Sequence, residues 1–197
     1  MPSRNHKVRQ ISRVELPQLL AQWQREKRSG LALLPRQYRV DFYVENGWEL
    51  EEIFTSDDSV SWDDLVSIVA CTSLRRLALP NVGLGGVGAG AIAEQLTNLQ
   101  SLYLGSNNVG DAGAQVIAEK LTKLRTLNLG NNNVGDAGAQ VIAENLTNLQ
   151  SLYLDNNNVG EAGAKAIAEK LANLHRLNLG SNNIGDAGAR AIAECFA

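Results

Sequence analysis

One octapeptide constrains this chain more than any other feature. Asn107-Asn108-Val109-Gly110-Asp111-Ala112-Gly113-Ala114 returns at Asn132, at Asn157 with Glu161 replacing the aspartate, and at Asn182 with Ile184 replacing the valine. Each step is 25 residues, and one step upstream the frame still holds, with Leu77-Ala78-Leu79 matching Leu102-Tyr103-Leu104 and Gly85 and Gly88 matching Gly110 and Gly113. A fixed period of this length means a stack of like units, none of which can bury its apolar face alone. Five repeats therefore fill residues 74–197, and residues 1–73 are left to cover the first apolar face.

Inside one repeat, Leu99-Gln100-Ser101-Leu102-Tyr103-Leu104 reads as a short strand. Leu102 and Leu104 are two apart and share one face, whereas Tyr103 points to the other. Asn107 falls where the chain turns off the sheet, and its amide can satisfy backbone groups that a tight turn leaves unpaired. Stacked with Asn132, Asn157 and Asn182, it should form a buried ladder. Gly110-Asp111 opens a helix, with the carboxylate expected near the free N–H groups of the first turn. Ile117 and Leu121 lie four apart on one helical face. Ala112, Gly113, Ala114 and Ala118 are small enough to let neighbouring helices approach.

The pattern L-x-x-L-x-L-x-x-N followed by this helix resembles leucine-rich repeats of the ribonuclease-inhibitor-like class, over about two-thirds of the chain. The resemblance implies an α/β solenoid, a right-handed arc with a parallel concave sheet and short convex helices. Strands stack about 4.8 Å apart and helices about 8–10 Å, so the arc should bend by roughly 20° per repeat. Two features depart from the class. The period is short, so the helices should be short. Val82 stands where the first repeat should carry asparagine, so that turn should be satisfied differently.

Residues 1–73 read as an N-terminal cap made of a helix, a β-hairpin and a capping helix. Ser12-Arg13-Val14-Glu15 has the form of a capping box. Leu16, Leu19, Leu20 and Trp23 keep helical spacing up to Gly30. Asn46-Gly47, between Tyr38–Val44 and Trp48–Phe54, is a hairpin turn by composition. Ser61-Trp62-Asp63-Asp64 leads into a helix through Ala70. The last helix ends at Phe196-Ala197, where Phe196 either shields the end or precedes a continuing chain.

Chemistry-bearing residues are sparse. His6 and His175 are the two imidazoles and have no local partner residues, and Cys71 and Cys195 lack metal spacing and read as reduced thiols. Gly83-Leu84-Gly85-Gly86-Val87-Gly88 matches G-x-G-x-x-G after a strand, the pattern of a dinucleotide cradle. Gly85 and Gly88 are already required by the repeat, however, and asparagines rather than an acid stand about 20 residues on. Asp111, Asp136, Glu161 and Asp186 recur as helix-start charges rather than a metal row, and Glu94, Glu119, Glu144, Glu169 and Glu194 as a solvated stripe. No cofactor, metal or enzymatic activity is expected. Net charge is −3, with nine Lys/Arg and two Glu in residues 1–40 and nine Asp/Glu in residues 41–65. Without regularly spaced aromatics the basic block does not suggest a nucleic-acid arm, and no apolar run suggests a membrane span.

The outward strand positions vary where the inward leucines do not. They read Arg76, Ser101, Thr126, Ser151, Arg176; then Ala78, Tyr103, Asn128, Tyr153, Asn178; then Pro80, Gly105, Gly130, Asp155, Gly180. Exposed tyrosine offers large contact area at low entropic cost. The expected protein-binding residues are Arg76, Tyr103, Asn128, Tyr153, Asp155, Arg176 and Asn178, with Trp48 from the cap. The expected partner is another protein, with an enzyme as one such partner, and the unbound chain is expected to be a monomer. The resemblance implies either an inhibitor or modulator of that partner or a bacterial effector acting in a host cytosol. It thus points to the cytoplasm, of the producing cell or of a host. An alternative is a ubiquitin-ligase substrate adaptor, with Leu16-Pro17 and Leu19-Leu20 as a degenerate F-box-like segment.

Overall fold

The computed structural model describes residues 72 and 74–195, together with the backbone of four earlier strands: β1 (Val8–Gln10), β2 (Leu31–Leu33), β3 (Tyr38–Val40) and β4 (Glu52–Thr55). The repeats supply β5 (Arg76–Ala78), β6 (Ser101–Tyr103), β7 (Thr126–Asn128), β8 (Ser151–Tyr153) and β9 (Arg176–Asn178). Between and after them run α1 (Gly85–Gln95), α2 (Gly110–Lys120), α3 (Asp136–Asn145), α4 (Glu161–Lys170) and α5 (Gly185–Cys195). Among the described residues the strands form one sheet whose spatial order is the chain order. From β4 to β9 every pairing is parallel, and from β5 onward it is in register at 25 residues, as in Leu77↔Leu102↔Leu127↔Leu152↔Leu177. The fold is an α/β solenoid. Its helices are 10 or 11 residues long, as the short period requires.

Before the repeats, β3 and β4 pair antiparallel through Tyr38↔Thr55 and Arg39↔Phe54. The midpoint of both pairs falls between residues 46 and 47, the Asn46-Gly47 step at which the sequence places its turn. That step, Trp48, the expected helices after Ser12 and Ser61, and Phe196 lie outside the described residues.

The core is a stack of leucine columns. Leu99, Leu102 and Leu104 are fully buried, as are Leu124, Leu127 and Leu129 and then Leu149, Leu152 and Leu154. Ile117, Ile142 and Ile167 close the core from the helices. Each buried side chain of this size contributes about 1.5–3 kcal/mol, so the interior repeats are stabilised by shared neighbours on both sides. The fifth repeat has a neighbour on one side among the described residues, and Leu177, Leu179, Ile184 and Ile192 are only partly buried.

The asparagine ladder saturates the turns. Asn132 Oδ1 accepts the N–H groups of Asn107 (2.9 Å) and Val109 (3.1 Å), both in the preceding repeat. Its Nδ2 donates to Leu104 O (2.8 Å) and Gly130 O (3.0 Å). Asn157 and Asn107 repeat the arrangement, and all three are buried. The N–H groups of Val82 and Leu84 go to Asn107 Oδ1 at 3.1 and 3.2 Å, as in the later turns. Valine cannot supply the amide that Asn107 donates to Leu104 O and Gly105 O within its own turn, and Leu79 O is reached instead by Asn107 Nδ2 of the following repeat, at 2.6 Å.

The acids at the helix starts act differently from the expectation. Asp111 does not cap its own helix. Its Oδ1 accepts Gly135 N (2.6 Å) and Gly138 N (3.0 Å) at the start of the next one, and Asp136 likewise takes Gly160 N (2.7 Å) and Gly163 N (2.8 Å). Gly135 and Gly160 have no side chain to cap their helices, and the aspartate one repeat earlier supplies the missing oxygen. The backbone follows. Gly135 and Gly160 are extended, with φ of −103° and −100°. Gly85, Gly110 and Gly185 are left-handed, with φ of 61°, 63° and 62°. In front of Gly110 the aspartate position is held by Gly86, and in front of Gly185 by Glu161, whose carboxylate pairs instead with Lys165. Without the carboxylate, the Gly85 and Gly110 N–H groups turn to Asn107 O and Asn132 O, each at 2.8 Å. Only glycine tolerates both conformations at low cost.

Candidate functional site

The outward positions of β5 to β9 form two rows across the sheet. One row is Arg76, Ser101, Thr126, Ser151 and Arg176, and the other is Ala78, Tyr103, Asn128, Tyr153 and Asn178. Strand geometry forces this, because residues two apart share a face and every strand is in the same register. Tyr103 and Tyr153 flank Asn128 on adjacent strands, so their Cα atoms lie about 9–10 Å apart, two strand spacings. Both tyrosines are half-buried. Arg76 and Arg176 are exposed at opposite ends of their row, four strands apart, so the sheet does not bring them together. Ser151 is buried, and Ala78 is 7% exposed and belongs to the core.

The polar members of the tyrosine row are fixed by local bonds. Asn128 Oδ1 accepts Gly130 N at 3.0 Å, and Asn178 Oδ1 accepts Gly180 N at 3.1 Å. Asp155, just past β8, accepts Asn178 Nδ2 (3.1 Å) and Asn156 Nδ2 (3.1 Å). It lies against Gly130, where a Cβ would sit 3.0 Å from its Oδ1. Asp155, Asn178 and Asn128 are thus held in place by bonds within the sheet and its rim. The adjoining rim carries Ser106, Asn131, Asn156 and Ser181, all in the left-handed region, and Asn131 Nδ2 donates to Ser106 Oγ at 3.0 Å.

The glycines of the G-x-G-x-x-G stretch have packing and turn roles. Gly83 and Gly85 take φ of 69° and 61°. A Cβ on Gly86 would lie 3.0 Å from Val109 O, and one on Gly88 would lie 3.0 Å from the Leu84 side chain. The recurring acids are not gathered either, since Asp111 and Asp136 each bond the next helix start. Among the described residues no group of three His, Cys, Asp or Glu could hold a metal ion, and no helix is long and apolar enough to cross a membrane.

A different set of residues, absent from the sequence-based expectation, lines a groove on the opposite rim, in the loops that enter β6 to β9. Gln100, Arg125, Gln150 and His175 occupy one column there, with Lys123 and Asn148 beside them. The signal was present in the alignment of repeats, as a column reading Arg75, Gln100, Arg125, Gln150, His175. It lies one residue before the columns that strand alternation singles out.

Residues 97–141 and 122–161 match the model described as Leucine Rich repeats (2 copies), and residues 170–193 match a Leucine Rich repeat model. No curated protein matches the chain. Among solved structures, an internalin (inlF) from Listeria monocytogenes is similar at 25% identity and a TM-score of 0.44, covering 65% of this chain. The chain spans 42% of that protein's length in the match. The in-register leucine columns from Leu99 to Leu154 and the buried asparagine ladder lie within the stretches, residues 97–161 and 170–193, that match leucine-rich-repeat models.

Proposed function

We propose that this chain is a protein-binding module that seats its partner on the concave sheet around Tyr103, Asn128 and Tyr153. Leucine-rich repeats generally mediate protein–protein contacts. One observation carries the reading to this face: the inward columns are uniformly leucine, while the outward columns vary and place two half-exposed tyrosines on a rigid, in-register platform. Aromatic anchors held by a scaffold are where interface energy concentrates.

The sheet alone is too small for a stable complex. Five strands at about 4.8 Å, with about 15 Å of each usable, give about 360 Å² of projected area, against about 800 Å² per partner in a standard interface. The partner therefore also contacts the rim at Ser106, Asn131, Asp155 and Asn156, or the cap near Trp48. Inhibition or modulation of an enzyme is the specific form of this function that we favour, because a concave anchor row suits a convex partner surface around an active site.

Affinity capture with purified bait tests the reading. Tyr103→Ala and Tyr153→Ala should each weaken capture of the partner by about 1–3 kcal/mol with folding intact. Glu119→Ala and Glu144→Ala, on the helices, should leave it unchanged. A helix-face variant that abolishes binding while both tyrosine variants bind normally would refute it.

A further inference from the structure

The loops that enter β6 to β9 line an open polar groove of about 710 Å³ on the rim opposite Asp155. Its lining includes Lys123, Arg125 and His175, flanked by Gln100, Gln150 and Asn148, and among the described residues holds no carboxylate. Glu94, Glu119, Glu144 and Glu169 stand in the last turn of each helix, just before these loops, and are not among the residues that line the groove.

The fold does not require cations at this place. Every helix from α1 to α4 ends in the same way, its C-cap leucine N–H bonded to the preceding isoleucine carbonyl. Neutralising the helix C-terminus would therefore call for a cation in every repeat. Yet the two positions held by Lys123 and Arg125 in the third repeat are Asn98 and Gln100 in the second and Asn148 and Gln150 in the fourth.

The lysine also gives up a structural bond. Asn98 Nδ2 donates to Thr72 O (3.1 Å) and Asn173 Nδ2 to Thr147 O (3.0 Å), each tying one loop to the loop before it. Lys123 cannot provide an amide there, and its Nζ reaches back to Asn98 Oδ1 at 2.7 Å. The Arg125 guanidinium is exposed and makes no hydrogen bond or ion pair among the described residues. His175 Nδ1 contacts Asn173 O at 2.8 Å, which orients the ring in the groove wall.

We infer that this groove is a second recognition surface, independent of the concave face, that takes an acidic segment of a partner protein. Arg125 and Lys123 engage its carboxylates, Arg125 by its bidentate fork. The Gln100 and Gln150 amides on either side can pair with peptide groups of the segment. Complementary charge of this kind raises the encounter rate and selects against basic partners.

A fluorescein-labelled octaglutamate peptide, followed by anisotropy at low and at physiological salt, tests the inference on the full chain. The double variant K123N/R125Q gives the third repeat the residues already present in the second and fourth, so the fold accepts it. Octaglutamate should bind the natural chain, weaken with salt, and bind the double variant about tenfold more weakly. Octalysine should not bind. Tyr103→Ala and Tyr153→Ala should leave octaglutamate binding unchanged, which separates this surface from the concave one. Equal binding of octaglutamate by the natural chain and K123N/R125Q, or no binding by the natural chain, would overturn the inference. So would a doubled mass in light scattering that K123N/R125Q reverts, because the groove would then belong to a second copy of the chain.

Discussion

Exchanging the acids at residues 136 and 161 by one methylene each should move stability in opposite directions. Asp136 Oδ1 holds two N–H groups of α4, at 2.7 and 2.8 Å. Charge-assisted hydrogen bonds contribute roughly 1.5–3 kcal/mol each when well shielded, and this site is half-exposed, which lowers the figure. In Asp136→Glu the longer side chain meets a crowded place, since a Cβ on Gly163 would already lie 2.8 Å from the aspartate oxygen. Gly160 would then turn left-handed like Gly110 and recover one bond, to the carbonyl of residue 182, as Gly110 does with Asn132. The net loss is therefore about 1–2 kcal/mol, or a thermal midpoint lower by about 2–8 °C for a domain of this size. Glu161→Asp is the converse. It gives up the exposed pair with Lys165, worth about 0.3–0.5 kcal/mol, and gains a capping oxygen for α5, so stability should rise by about 1 kcal/mol. Urea unfolding of both variants measures the two changes, and a crystal structure of Glu161→Asp reads the backbone of Gly185, which should become extended. Two unchanged midpoints, with Gly185 still left-handed, would refute the claim that the carboxylate one repeat earlier sets the helix start.

Asn132→Ala should cost about 2–4 kcal/mol, because it leaves Asn107 N–H and Val109 N–H buried without their acceptor, while Leu104 C=O keeps the Asn107 Nδ2 donor at 3.0 Å; denaturant titration checks it. Two helical glycines should respond with opposite sign. In Gly113→Ala the new Cβ would meet Val109 Cγ1 at 2.6 Å and Gly86 Cα at 3.0 Å, so overpacking should outweigh helix propensity and destabilise by about 1–2 kcal/mol. In Gly90→Ala the nearest contact is an ordinary 3.8 Å to Val116, so propensity should prevail and stabilise by about 0.5–1 kcal/mol; differential scanning calorimetry of the pair reads both.

Much of this architecture was legible because it depends on period alone. Leucines at 99, 102 and 104 mark the inner face whatever the repeat packs against, and the outward rows follow by alternation. Asn46-Gly47 marked a hairpin turn for the same local reason, but the mixed faces of the flanking segments left its register unread. The role of Asp111 was not legible, because it depends on the offset between repeats and on the reach of one side chain. From sequence, an acid beside a helix start looks like that helix's own cap. The Val82 turn could be read only in part, since the bonds that replace its missing amide come from Asn107, a full repeat later. The rim groove escaped because it is a column of loop residues with no periodic hydrophobic signal. It emerges only when Lys123 and Arg125 are set against their counterparts in the flanking repeats.

The asparagine ladder also gives the chain a direction in time. The N–H groups of Asn107 and Val109 wait for an acceptor 25 and 23 residues further on, and Asn132 and Val134 wait likewise for Asn157. On a ribosome adding roughly 5–20 residues per second, each turn stays open for about 1–5 s after it emerges. The growing solenoid is therefore always one repeat short of closure at its leading edge, and each new repeat locks the one before it.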